Sequence, residues 1–86
     1  MGYTLSFKKS VARDLRGIPR RDVERILKRI EALRTDPRPA NCEKLSGQDR
    51  YRVRQGVYRI VYEIVDERLI VIVIKVAHRK RAYRKN

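Results

Sequence analysis

The sequence predicts an α+β domain, in which a helical hairpin packs on one face of an antiparallel sheet and a short basic helix or tail ends the chain. Two early segments carry apolar residues at helical spacing, and three segments in the last third are rich in Val, Ile and Tyr. A short alternating segment precedes the helices, so the predicted order is β-α-α-β-β-β. Helices with apolar stripes and one sheet face bury each other in such a two-layer fold.

The first half of the chain predicts one strand and two helices. Residues 3–7 alternate apolar and polar side chains, which indicates a short half-buried strand. A helix then begins at Ser6 or Lys8 and ends at Gly17 and Pro19, and a second helix covers residues 20–34. The apolar stripes expected to face the sheet are Phe7, Val11, Leu15 and Ile18, then Val23, Ile26, Leu27, Ile30 and Leu33.

The second half predicts a loop over residues 36–41, which contain two prolines, and then three strands. These strands are Arg50–Gln55, Tyr58–Val65 and residues 69–76. The last strand is apolar at nearly every position, so we expect it inside the sheet with both faces covered. A three-residue turn before it would place Lys75 opposite Arg59, whereas a two-residue turn would place Val76 there.

The size and charge of the chain restrict its possible functions. All 86 residues fit one domain, and a hydrophobic content of 42% supports a modest core, so the chain is not a disordered basic arm. Lys and Arg number 23 against 10 Asp and Glu, which gives a formal charge of +13. Such a surplus favours polyanionic partners, with nucleic acid first and an acidic protein second.

Several classes of protein are disfavoured. The longest apolar run, residues 69–74, is far too short to span a membrane, and the first residues do not have the pattern of a signal peptide. One cysteine, Cys42, and one histidine, His78, do not make an ordinary zinc site, and a single thiol suits a reducing compartment. We therefore expect a cytoplasmic protein without metal or cofactor.

The first predicted hairpin places like charges together. Residues 55–58 suit a two-residue type II′ turn with glycine at its first central position. Arg54 then faces Arg59, and Arg52 stands on the same side of the sheet. Like charges directly opposite each other destabilise a ladder, so the guanidinium groups either splay into water or hold an anion. The basic residues that follow the last strand favour the anion site.

The tyrosines divide into two groups. Tyr58 and Tyr62 share a strand face with apolar residues, opposite to Arg59, so we expect them in the core. Tyr83 lies instead among Arg79, Lys80, Arg81, Arg84 and Lys85, with no apolar pattern around it. Its ring either stacks on an unpaired base or anchors the C-terminus.

These residues carry a family resemblance. The runs KLSG (44–47), YRVR (51–54), YRIVY (58–62) and VAHR (76–79), with YR at 83–84, resemble the RelE/ParE toxin superfamily. The similarity is greatest to its RelE-type ribosome-dependent mRNA endonucleases. It spans the whole chain, because the predicted element order is also that of the family.

The resemblance implies a toxin that cuts mRNA in the ribosomal A site without a metal and is silenced by a cognate antitoxin in a hetero-oligomer. The ribose 2′-OH would attack the adjacent phosphate and leave a 2′,3′-cyclic phosphate. Arg59 and Arg79 would hold that phosphate, Arg52 and Arg54 occupy places where relatives often have lysines, and Tyr83 would stack on or orient the target base. Further contacts to mRNA and ribosomal RNA are expected from Lys44, Lys75, His78, Arg81, Arg84 and Lys85.

One departure from the family pattern concerns the general base, and two alternative functions stay open. Arginine remains protonated at any working pH, so Arg52 and Arg54 are poor general bases, and the base would be Tyr83, His78 or a group of the ribosome. A ParE-type inhibitor that binds DNA gyrase shares the fold. A basic module that binds nucleic acid without chemistry is the second alternative.

Overall fold

Two helices and five strands are present in the computed structural model, which describes residues 2–45 and 49–79. In chain order the elements are β1 (Thr4–Phe7), α1 (Lys9–Arg16), α2 (Arg20–Ala32), β2 (Glu43–Lys44), β3 (Arg50–Gln55), β4 (Tyr58–Val65) and β5 (Ile70–His78). The strand order is β1-β5-β4-β3-β2. This confirms the predicted α+β class. The sheet is mixed, because β1 runs parallel to β5 while the other pairs are antiparallel.

Both helices bury the sides that their apolar stripes predict. In α2, Ile26 and Ile30 are buried, and Leu33 is buried just beyond the helix. In α1, Val11 is buried, and Leu15 and Ile18 pack against the same core. Two members of the stripes differ from the prediction, since Phe7 at the end of β1 is 45% exposed and Leu27 is 42% exposed. Phe7 is the last residue of its strand, and Leu27 lies at the margin of its stripe.

The core occupies one face of the sheet. Side chains of four strands meet the helices there, namely Leu5, Tyr51, Val53, Tyr58, Ile60, Tyr62, Ile64, Val71, Val73 and Val76. Because side chains alternate across a strand, the residues between them point to the other face. That second face carries neither α1 nor α2; it holds Arg50, Arg52, Arg54 and Arg59, and we call it the arginine face.

The loop between α2 and β2 is fastened to the sheet by polar contacts. The buried Tyr62 hydroxyl donates to the Pro37 carbonyl oxygen at 2.7 Å, and its burial raises the pKa of Tyr62. Arg38 donates to both carboxylate oxygens of Asp66, at 3.2 and 2.9 Å, and to the Tyr51 hydroxyl at 3.1 Å. The loop therefore delivers β2 to the edge of the sheet in a fixed position.

The register of β5 differs from both expectations for Lys75. Four residues, 66–69, join β4 to β5, with Leu69 in the left-handed region at φ +53°. A bulge then adds one residue to β5, since Val61 pairs with Lys75 while Tyr62 pairs with Val73. As a result Ala77, and neither Lys75 nor Val76, stands opposite Arg59. Without the bulge, the register set by Val65 and Ile70 would place Val76 opposite Arg59, so the prediction was wrong because of the bulge.

The surroundings of β5 match the prediction only in part. The strand lies inside the sheet, between β1 and β4, as its apolar sequence indicates. Its second face is not covered by a helix of the described residues, and Ile70 and Ile72 are only half-buried there. The expectation that both faces are covered stays a prediction for this side. The predicted C-terminal helix or tail lies outside the described residues beyond Arg79.

A side chain of α1 completes the hydrogen bonding of β5. β1 ends at Phe7, opposite Val73, so the last part of β5 has no strand on that side. There the Val76 backbone N–H donates to the Asp14 carboxylate at 3.0 Å. A part-buried amide without an acceptor is costly, so Asp14 fixes α1 to the strand that leads to the C-terminal residues.

We predict that Asp14→Ala lowers the free energy of unfolding by about 1–3 kcal/mol, because the Val76 amide loses its acceptor. Asp14→Asn keeps an acceptor oxygen and should lose less. Urea unfolding followed by circular dichroism measures both. Glu24→Ala, which removes an exposed carboxylate from α2, is the control. Equal stability of Asp14→Ala and Glu24→Ala would show that the contact does not support the fold.

Candidate nucleic-acid interface

A tight turn sets the geometry of the arginine face. Gly56 has φ +61°, a region open to glycine, and no other residue of the β3–β4 turn has positive φ. This is the pattern of a type II′ turn, which suits the twist of a hairpin. Gln55 pairs with Tyr58, and Arg54 stands directly opposite Arg59. The pairing predicted from the sequence is confirmed.

Three arginines form a cluster at this end of the sheet: Arg52, Arg54 and Arg59, which we call the arginine cluster. Arg54 is exposed, Arg52 is half-buried, and Arg59 is 7% exposed although it carries a guanidinium group. A buried cation is retained only where charges or hydrogen bonds stabilise it. The position of Arg59 is therefore fixed by its surroundings, whereas Arg54 is free to reach a ligand.

Charge compensation along β3 is uneven. Arg50 pairs with Glu63 directly opposite it on β4, at 2.9 Å. Arg52 pairs with Glu43, directly opposite it on β2. The next residue on this face, Arg54, has another arginine opposite it, and no ion pair among the described residues joins it to an acid. The end of the sheet near the turn is thus where positive charge is left in excess.

Glu43 is a member of this site that the sequence did not reveal. A hydrogen bond from Arg52 lowers the pKa of Glu43, and the positive charges of Arg52, Arg54 and Arg59 lower it further. Its carboxylate therefore lies within the field of the whole arginine cluster. In the sequence it lies seven residues before Arg50, and β2 is too short to show a strand period. A single sequence gave no signal for this residue.

The end of β5 continues the basic surface. Ala77 stands opposite Arg59. Lys75, exposed and opposite Val61, lies two residues before it on the same face. Arg79 follows Ala77 by two residues, is exposed, and donates its backbone N–H to the Val57 carbonyl at 2.7 Å. Lys75 and the backbone of Arg79 thus flank the cluster.

Two residues that were predicted to contact RNA lie away from the arginine cluster. His78 pairs with Tyr58 on the helix side, and their rings meet edge to face with centroids 5.7 Å apart. Lys44 is exposed and pairs with Tyr51, so it also faces the helix side. The structure does not bring either residue to the arginine cluster. Four further expected residues lie outside the described part of the chain: Arg81, Tyr83, Arg84 and Lys85.

Two other kinds of site were sought among residues 2–45 and 49–79. No three His, Cys, Asp or Glu side chains are grouped there so as to hold a metal ion. No helix in those ranges is long and apolar enough to cross a membrane.

The chemistry of the cluster suits a phosphate. The planar guanidinium group offers a fork of N–H donors that matches phosphate oxygens, and it stays charged at any working pH. Two such groups lie on neighbouring strands, one of them buried and the other exposed. Prepositioned donors of this kind bind an anion and stabilise negative charge that develops on it.

Comparison with known proteins shows which family this basic α+β domain with an arginine cluster on one sheet face belongs to. A family model described as the ParE toxin of the type II toxin–antitoxin system parDE matches residues 5–83. The chain therefore belongs to the RelE/ParE superfamily of type II toxins, which confirms the resemblance noted in the sequence.

Individual relatives agree with this assignment. The chain is 32% identical over 85 residues to the mRNA interferase toxin RelE of Escherichia coli K12, covering 95% of this chain and 88% of that protein. It is 33% identical over 91 residues to toxin RelG of Mycobacterium tuberculosis, and the match covers 99% of this chain and 100% of that protein. The archaeal RelE–RelB complex of Pyrococcus horikoshii contains a chain of similar structure, with a TM-score of 0.84, 29% identity, and 94% and 99% of the two chains covered.

We predict that Arg54→Gln raises the free energy of unfolding by roughly 0.2–1 kcal/mol, because it removes a like charge opposite Arg59. The gain should shrink as salt is added, since salt screens exposed charges. Urea unfolding at low and high salt measures it. Arg13→Gln, an exposed arginine of α1, controls for the lower net charge. A stability loss in Arg54→Gln at low salt would show that the pair is not repulsive.

Proposed function

We propose that this toxin is a ribosome-dependent mRNA endonuclease, in which the arginine cluster binds the phosphate that is cut in the ribosomal A site. The observation that carries the proposal is the position of Arg54 directly opposite Arg59, beyond two arginines that have carboxylate partners. A phosphate at this point would place negative charge beside both guanidinium groups. The relative in Escherichia coli K12 is named an mRNA interferase.

In the proposed reaction the ribose 2′-oxygen bonds to the adjacent phosphorus while the bond from phosphorus to the 5′-oxygen breaks. The products are a 2′,3′-cyclic phosphate and a 5′-hydroxyl, so the proton lost by the 2′-OH is balanced by one gained at the 5′-oxygen. Negative charge grows on the phosphoryl oxygens in between. Arg59 and Arg79 would stabilise that charge, and binding within the A site would enforce the in-line geometry.

Proton transfer is the step to which the arginine cluster contributes least. An arginine side chain does not lose its proton at working pH, so Arg52 and Arg54 act through charge alone. His78 lies on the opposite face of the sheet, against Tyr58. We therefore assign the acceptor of the 2′-OH proton to Tyr83 or to the ribosome. No metal is required by this mechanism.

We further propose that a cognate antitoxin neutralises the chain in the cytoplasm by forming a hetero-oligomer with it. The similar chain of Pyrococcus horikoshii was solved in complex with RelB. A formal charge of +13 makes an acidic segment the natural covering for the arginine face and the C-terminal residues. Co-purification with the product of a neighbouring gene tests this directly, and failure of that product to bind or to rescue growth would contradict the pairing.

A ParE-type gyrase inhibitor is the second candidate, because the matching family model is named for ParE. The two functions share a fold, but only mRNA cleavage requires the arginine cluster. A gyrase inhibitor would block DNA supercoiling and leave mRNA on ribosomes intact. A supercoiling assay run beside the cleavage assay separates the two.

We predict that Arg79→Ala slows cleavage of mRNA on programmed ribosomes a few hundred-fold, since loss of one prepositioned charge donor costs about 3 kcal/mol of transition-state stabilisation. Arg68→Ala removes an equal charge from the far end of the sheet and should change the rate little. Mapping of RNA 5′ ends by primer extension measures both.

Two results would contradict the proposed function. One is unchanged cleavage by the double variant Arg59→Ala/Arg79→Ala, which would remove these residues from the reaction. The other is cleavage that falls equally in Arg79→Ala and Arg68→Ala, which would indicate a general effect of charge. Because Arg59 is buried, circular dichroism should first establish that the double variant is folded.

A further inference from the structure

We propose that Glu43 is the internal counter-ion of the arginine cluster and that the phosphates of single-stranded RNA displace it on binding. Its carboxylate thereby favours ligands with several phosphates over single anions. This inference rests on the proposed function for the identity of the ligand. It assigns to Glu43 a role in selectivity.

The position of Glu43 is built into the sheet. It lies on β2 and pairs directly with Arg52 on β3, and the side chains of the two residues form an ion pair on the arginine face. The next residues repeat the pairing, since Lys44 pairs with Tyr51 and the Leu45 N–H donates to the Arg50 carbonyl at 2.8 Å. On the other side, the contacts of Pro37 and Arg38 hold the preceding loop.

The charge of Glu43 acts on the whole cluster. Arg52 has the strongest effect on its pKa, through a hydrogen bond, but the charges of Arg54 and Arg59 lower that pKa as well. The attraction is mutual, so the carboxylate stabilises all three cations when no ligand is bound. It also repels a phosphate that approaches them.

Exposure makes this counter-ion exchangeable. The Glu43 side chain is 61% exposed and the Arg52 side chain 28% exposed. Ion pairs at such exposure contribute little net free energy, because water solvates both groups when they separate. A phosphate bound by Arg54 and Arg59 can therefore capture Arg52 at small cost, after which Glu43 turns toward solvent.

The small cost of separating Glu43 from Arg52 leads to a preference for RNA over single anions. A single anion must displace the carboxylate with the contacts of one phosphate alone, whereas an RNA strand is also held by the contacts of its neighbouring phosphates. Linked contacts of this kind raise the effective concentration of the next one. Glu43 thus weakens binding of isolated anions more than it weakens binding of RNA.

The test compares Glu43→Gln with wild type in fluorescence anisotropy, with a labelled 2′-O-methyl RNA hexamer, which cannot be cut, and with inorganic phosphate as a competitor. We expect Glu43→Gln to bind the hexamer about three- to tenfold more tightly, because the variant has no ion pair to break and no carboxylate to repel phosphate. Competition by inorganic phosphate should improve by a larger factor. Glu67→Gln, an exposed carboxylate at the far end of β4, should change either affinity less than about twofold.

A double-variant cycle locates the effect. In an Arg52→Gln background, Glu43→Gln should give a smaller gain in hexamer affinity than in wild type, because the ion pair is already absent. A gain of equal size in both backgrounds would mean that the carboxylate acts only through net charge, which contradicts the proposal. Unfolding free energies of the variants establish that all are folded.

Three further outcomes would overturn the inference. Weaker binding by Glu43→Gln would show that the carboxylate positions Arg52 for RNA, and equal affinities of Glu43→Gln and Glu67→Gln would show no local role. A loss of more than about 100-fold in the cleavage rate of Glu43→Gln at saturating toxin would identify Glu43 as a proton acceptor. If wild type fails to cut mRNA while Glu43→Gln still binds the hexamer more tightly, the proposed function fails and the counter-ion stands.

Discussion

The repulsion between Arg54 and Arg59 is the interaction on which the account of this molecule depends. The two-residue turn at Gly56 fixes the register of the β3–β4 hairpin, and that register leaves these two guanidinium groups opposite each other. Shifting one of the two strands by one residue would turn its core side chains to the arginine face. The fold thus cannot relieve the repulsion by sliding a strand. An anion supplied from outside can relieve it.

The rest of the structure tolerates this arrangement because the apolar core lies on one face of the sheet and the arginines lie on the other. The helix side carries the apolar contacts of α1 and α2, with Tyr62 and Ile60 fully buried at its centre. Stability therefore does not require an apolar arginine face. Carboxylates form ion pairs with the first two arginines of β3, Glu63 with Arg50 and Glu43 with Arg52. The domain is stabilised through one face, and the other face is the proposed binding surface.

The sequence predicted what short-range rules determine. A two-residue turn with glycine has one register, so the pairing of Arg54 with Arg59 followed from the residues alone. The register of β5 did not, because a bulge and the left-handed Leu69 depend on packing against neighbouring strands. The same shift placed Ala77 beside Arg59, with His78 on the far side. The short strand β2 has no periodic pattern, so neither its pairing nor the place of Glu43 could be foreseen.

The location of the bound phosphate tests the central claim most directly, since α2 also presents exposed cations at Arg21, Arg25 and Lys28. A 2′-O-methyl trinucleotide can be titrated into ¹⁵N-labelled protein while backbone and arginine Nε signals are followed by NMR. We expect the largest shifts at Arg54 and Arg59. Largest shifts along the outer side of α2, with those two signals unmoved, would show that the sheet is not the binding surface.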